Sequence, residues 1–123
     1  MIVVDTSVWV EHIRGRDTPL DRLLVESSVL MHPFVHGELL LHGLPRNGAL
    51  AATFENLEAA PLASCDEVAA LIGWEKLAST GIGYVDAHLL ASTRMIGNGQ
   101  IVTFDQCLLA QAERLGIAYR KTA

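Results

Sequence analysis

The chain has 123 residues and a mass of 13.3 kDa, the length of one domain, 1–123, that can bury its own core. Half of its residues are apolar and the mean hydropathy is +0.31, which excludes a disordered chain, while its longest apolar runs are far too short for a bilayer. Nine Lys+Arg against fourteen Asp+Glu leave a net charge of −5, so general attraction to polyphosphates is excluded; a nucleic-acid partner must be held by a local basic patch or through metal ions that reverse the sign of an acidic site.

In chain order, Met1–Val4 reads as a fully buried strand ending at Asp5. Ser7–Arg14 is a helix opened by Thr6 or Ser7 and punctuated by Gly15, and Pro19–Ser27 is a second helix with Pro19 in its first turn. Val29–His32 is a short strand, followed by the helix Pro33–His42, which Gly43 closes. Ala49–Glu58 is helical by composition and Pro61–Ala63 is a weak strand candidate. Asp66–Ser79, capped by Ser64 or Asp66, is the longest helix, and Gly81-Ile82-Gly83 separates it from the helix Val85–Ile96. Gly97-Asn98-Gly99 turns the chain into the strand Gln100–Phe104; the helix Asp105–Leu115 and a last strand, Ile117–Arg120, complete it. Strands alternating with helices imply an α/β domain, a parallel sheet covered on both faces.

Cys65 and Cys107 lie in helix-like patterns without zinc spacing and read as reduced core thiols. Met1 leads straight into an apolar strand without a basic segment, so no signal peptide and a cytoplasmic location are expected.

Four acids stand out. Asp5 and Asp105 close strands, and in open α/β sheets ligands bind beyond the carboxyl ends of strands. Each also precedes a helix, so N-capping is the plain alternative. Glu38 shares a helix face with Phe34, Val35 and Leu41, and Asp86 shares one with Ile82, Leu89 and Leu90; neither has Lys or Arg three or four positions away. A buried carboxylate needs a counter-charge, a metal or a proton, the alternative being partial exposure at a helix end. Four carboxylates in one pocket repel by several kcal/mol, which a hard, oxygen-preferring divalent cation resolves; such a cation serves phosphodiester hydrolysis by activating water and stabilising the leaving oxygen.

These residues resemble the PIN-domain nucleases, and among them the VapC-type toxins of toxin–antitoxin pairs, along essentially the whole chain. The resemblance is carried by Val3-Val4-Asp5-Thr6-Ser7, Gly37-Glu38-Leu39, Asp86-Ala87-His88-Leu89-Leu90-Ala91 and Val102-Thr103-Phe104-Asp105. It implies a three-layer domain with a central five-stranded parallel sheet, an RNA endonuclease dependent on Mg²⁺ or Mn²⁺, a homodimer, and neutralisation by a cognate antitoxin. Position by position, Asp5, Glu38, Asp86 and Asp105 match the acidic quartet, with Asp5 and Asp86 as the direct metal ligands and Glu38 and Asp105 as ligands or as orienters of water. Ser7 or Thr103 could hold a carboxylate or water through its hydroxyl.

Other residues have plainer readings. Glu38 and His42 could share an ion, but His36-Gly37-Glu38 is not the His-Glu-x-x-His spacing of zinc sites, and His88 reads as structural. Arg14, Arg16, Arg46 and Arg94 could touch an RNA backbone or be solvated surface charges, and Trp9 and Trp74 read as core or dimer contacts. The alternative function is a phosphorylation-dependent α/β signalling module. It needs a lysine closing a later strand, where the only lysines are Lys76 and Lys121. A metal-independent ribonuclease would need paired histidines, and His12, His32, His36, His42 and His88 have no evident mutual spacing.

Overall fold

A computed structural model describes residues 1–121. The elements are β1 (Ile2–Val4), α1 (Thr6–Ile13), α2 (Leu20–Val25), β2 (Val29–Met31), α3 (Pro33–Leu41), α4 (Ala49–Glu55), β3 (Glu58–Ala59), α5 (Cys65–Trp74), α6 (Tyr84–Arg94), β4 (Gln100–Val102) and α7 (Gln106–Arg114). The strands form one parallel sheet of four in the order β3-β2-β1-β4. The chain moves outward from β1 to β3, then crosses back to lay β4 on the other side of β1. Successive crossovers therefore diverge beside β1, and the crevice they leave opens at its carboxyl end, where Asp5 sits.

Burial explains why the strands are short but secure. Every residue of β1 and β2 is buried, as is the β4 pair Ile101 and Val102, so the β-branched runs sit between helices on both faces. Helix α6 is buried continuously from Ala87 to Thr93, with Leu89 and Leu90 fully enclosed, and it packs against β1 and β4. Trp9 of α1 is also enclosed and meets the Phe54 ring edge-on at 4.7 Å. Ser64 and Glu67 close a capping box on α5, each side chain bonding the other's backbone N–H.

Several expectations are corrected. The sheet has four strands rather than five: Ile117–Arg120 makes only one isolated parallel bridge, Ala118 to Ile101. That bridge uses the free edge of β4, with Ile101 N–H donating to Ile117 O and Tyr119 N–H donating to Ile101 O, both at 2.8 Å. The third strand is Glu58–Ala59, not Pro61–Ala63; Pro61 has no N–H to donate, whereas Ala60 N–H reaches Met31 O at 2.9 Å. Helix α5 stops at Trp74 instead of Ser79, because Lys76 adopts a left-handed conformation (φ 54°) and Leu77 N–H turns back to Ile72 O. Cys65 and Cys107 are free and exposed, not core thiols, since both stand in the first turns of their helices on the solvent side. Trp74 is 87% exposed and is no core residue of this chain. No helix among the described residues is long and apolar enough to cross a membrane.

Candidate active site

The site grows out of the pairing of β1 with β4. Register sets Val4 beside Val102, and Asp5 N–H donates to Val102 O at 3.0 Å, so Asp5 and Thr103 leave the sheet side by side. Asp5 is only 6% exposed. It stands at the N-cap position of α1, but its side chain makes no capping bond there. Instead Oδ2 accepts hydroxyl hydrogen bonds from Ser7 Oγ at 2.6 Å and Thr103 Oγ1 at 2.8 Å. Both hydroxyls thus hold the carboxylate, where the sequence pointed to one or the other.

Asp105 does what N-capping requires: its Oδ1 accepts from Leu108 N–H at 2.9 Å. Its own N–H is held by Thr103 Oγ1 at 3.0 Å, tying the cap to the Asp5 network. Asp105 is the exposed member of the four. Glu38, half-buried on α3, accepts from Thr6 Oγ1 at 2.8 Å, a contact produced by packing α1 on α3. Nothing in the sequence near Thr6 announced that partner 32 residues away. Asp86, half-buried in the first turn of α6, accepts from Gly83 N–H at 3.2 Å.

A common pattern links the four. Each carboxylate spends one oxygen on an anchor, and no hydrogen bond among the described residues engages the other: Asp5 Oδ1, Glu38 Oε2, Asp86 Oδ1 and Asp105 Oδ2. The four also share one field. Burial pushes the Asp86 carboxyl above the ordinary carboxylate range, the Gly83 N–H opposes this, and the negative charges of Asp5, Asp105 and Glu38 push it up further. Among the described residues no group of three or more His, Cys, Asp or Glu side chains is arranged to hold a metal ion. The fit to a hard divalent cation therefore rests on donor chemistry, oxygen ligands with one anchored and one available atom each, and not on a formed coordination shell.

Around this centre, His88 is 2% exposed and lies between the rings of Tyr84 (4.6 Å) and Phe34 (4.7 Å), in keeping with a structural role. His32 caps α3 by accepting Phe34 N–H on Nδ1, and burial with the nearby His88 lowers its pKa to about 4. Arg94 is bonded to Glu75 at 2.8 Å, away from the four acids along α6. Arg14 and Arg16 both pair with Glu11 of α1. Lys76 lies in the turn after α5 and Lys121 beyond the last bridge, so neither closes a strand as the signalling alternative requires.

A family model described as PIN domain matches residues 2–115. The chain belongs to the PIN domain family. Ribonuclease VapC32 of Mycobacterium tuberculosis, in strains CDC 1551 / Oshkosh and ATCC 25618 / H37Rv, is 38% identical over 118 residues, 96% of this PIN chain and 95% of that protein. The crystal structure of FitAcB from Neisseria gonorrhoeae matches with a TM-score of 0.63 at 23% identity, over 92% of this chain and 94% of that one, a likeness of fold. The PIN match spans all four acids and every strand of the sheet.

Proposed function

We propose that this PIN domain is a Mg²⁺- or Mn²⁺-dependent RNA endonuclease and the toxin of a toxin–antitoxin pair. The observation that carries the reading is a set of four carboxylates, each with one oxygen anchored and one available, of which Asp5 ends β1 at the crevice and Asp86 feels the charges of the other three. Similarity to a protein named as a ribonuclease over nearly the whole chain supports RNA as the substrate. The same kinship supports a cognate antitoxin as partner, and a homodimer acting in the cytoplasm belongs to this reading as a proposal.

Asp5 and Asp86 are the direct ligands in this reading, and Glu38 and Asp105 bind the ion or orient water around it. A divalent ion held there supplies charge neutralisation at the scissile phosphate and acidifies water for attack. The residues of the chain do the positioning. Ser7 and Thr103 fix Asp5, Thr6 fixes Glu38, the Gly83 N–H fixes Asp86, and the first turn of α7 fixes Asp105. Water adds to phosphorus in line as the P–O3′ bond breaks, so the products carry a 5′-phosphate and a 3′-hydroxyl.

The test is incubation of the purified, antitoxin-free protein with total cellular RNA in Mg²⁺, in Mn²⁺ and in EDTA, alongside Asp86→Asn. Discrete fragments that require metal and vanish in the variant are expected. Fragments that persist in EDTA and in the variant reject the metal mechanism.

A further inference from the structure

The candidate site is not closed on the side of α1. An open groove of about 590 Å³ begins at Thr6 and Ser7, whose hydroxyls hold Glu38 and Asp5, and runs past Arg14 and Arg16 with Phe104 in its wall. Its inner end is thus joined to two of the four acids through the hydroxyls that hold them. At 1.5 Å per residue, Arg14 lies roughly 12 Å along α1 from Thr6.

Two features of the groove are chemically directed. Arg14 and Arg16 are largely solvent-exposed and share one carboxylate, Glu11, which engages a single guanidinium nitrogen of each. A guanidinium has five N–H donors, so most remain available, and exposed ion pairs of this kind are weak enough to yield to a phosphate. Glu11 and Asp17, also in the groove, balance the two arginines, which suits local capture of one strand by a protein of net charge −5 better than general polyanion binding.

The second feature is Phe104. The residue is 43% exposed although it stands between the buried Thr103 and the α7 cap Asp105. Its backbone is pinned, since Phe104 N–H donates to Ser7 Oγ at 3.0 Å. The ring is not part of the hydrophobic core cluster, and its place in the groove wall beside Ser7 gives it a flat apolar face. Nucleic-acid bases stack on such faces without sequence preference, provided they are not already stacked in a duplex.

We infer that this groove is the track for a single-stranded RNA segment next to the cleaved bond, with one base stacked on Phe104 and the following phosphates on Arg14 and Arg16. The inference rests on the ribonuclease reading and extends it to the residues of this chain that hold the strand.

The experiment is an anisotropy titration of a fluorescein-labelled single-stranded RNA of mixed sequence, and of its duplex, at several KCl concentrations with Ca²⁺ in place of Mg²⁺. Wild type is compared with Phe104→Ala, Phe104→Trp, Arg14→Ala, Arg16→Ala and Arg46→Ala, all checked by thermal melting and assayed for RNA cleavage. Phe104→Ala is expected to weaken single-strand binding about tenfold, with Phe104→Trp close to wild type and duplex binding insensitive to both. In cleavage, Phe104→Ala raises KM more than it lowers kcat. Arg14→Ala and Arg16→Ala each flatten the salt dependence of log Kd by about 0.7, and Arg46→Ala, whose side chain lies outside the groove, does not. A wild type that cleaves RNA while the groove variants keep its affinity and salt dependence overturns the track and leaves the groove to a protein partner. Equal losses in Phe104→Ala and Phe104→Trp overturn stacking. A wild type that neither cleaves nor binds RNA removes the ribonuclease reading as well.

Discussion

Thr103 Oγ1 donates a 2.8 Å hydrogen bond to Asp5 Oδ2, joining residues 98 positions apart. The same oxygen of Thr103 receives the Asp105 N–H, so one hydroxyl orients a buried carboxylate and the residue that caps α7. Strand register makes this possible: β1 and β4 pair through Val4 and Val102, and the next residue of each strand is a member of the network.

Thr103→Val keeps the shape and removes both bonds. Asp5, 6% exposed, then retains only Ser7, and the Asp105 N–H loses its acceptor. A loss of about 1–3 kcal/mol in urea unfolding is expected, with RNA cleavage reduced roughly 10- to 100-fold and largely restored in Thr103→Ser. Unchanged unfolding in the valine variant would show that the network carries no strain of desolvation.

Asp86→Asn separates function from stability. Burial first, and then the charges of Asp5, Asp105 and Glu38, raise this carboxyl above its ordinary 3.8, so the fold holds its proton more tightly than the unfolded chain does. Its contribution to stability is present below pH 3.8 and is lost as pH rises through the higher folded value. At pH 7 the asparagine variant is therefore expected to unfold no more easily than wild type, while cleavage falls by about a hundredfold or more. Urea midpoints and initial cleavage rates at one pH decide both.

His32 gives the opposite pH sign. Burial, helped by His88, lowers its pKa from 6.5 to about 4, so below pH 6.5 the unfolded chain takes up a proton that the fold refuses. Its stabilisation is complete above pH 6.5 and is lost as pH falls towards 4, up to roughly 3 kcal/mol. Protonation at Nδ1 also removes the acceptor for Phe34 N–H at the start of α3. His32→Asn retains a capping oxygen without the titration, so its stability curve between pH 6.5 and 4 is expected to be flatter than wild type's in denaturant melts.

Cys65 and Cys107 are exposed and unpaired in a disulfide. Both thiols are expected to react with an aromatic disulfide reagent in the native protein at the rate seen after denaturation, within about tenfold. A thiol that reacts only on unfolding would contradict its placement on the helix surface.

The amino-acid pattern carried the α/β alternation because β-branched runs and helical spacing are local properties. Strands β1, β2 and β4 begin within a residue of where they were read. Its failures have one source. Lys76 stops α5 in a left-handed conformation that no glycine announces, and Ala118 makes a bridge where a strand was read, because one edge contact is all the chain finds there. Cys65 and Cys107 fit helical patterns, but periodicity alone did not say which side of each helix faced solvent.

The four acids divide in the same way. The types and order of Asp5, Glu38, Asp86 and Asp105, and the conflict between carboxylates and apolar helix faces, were legible in the sequence because side-chain chemistry and helical spacing are encoded locally. Asp5 and Asp105 looked alike, each a strand end before a helix; only the fold separates them, giving Asp105 its capping bond and turning Asp5 to Ser7 and Thr103. The pairing of Thr6 with Glu38 and the exposure of Phe104 were likewise decided by packing and register, which depend on contacts between residues far apart in the chain.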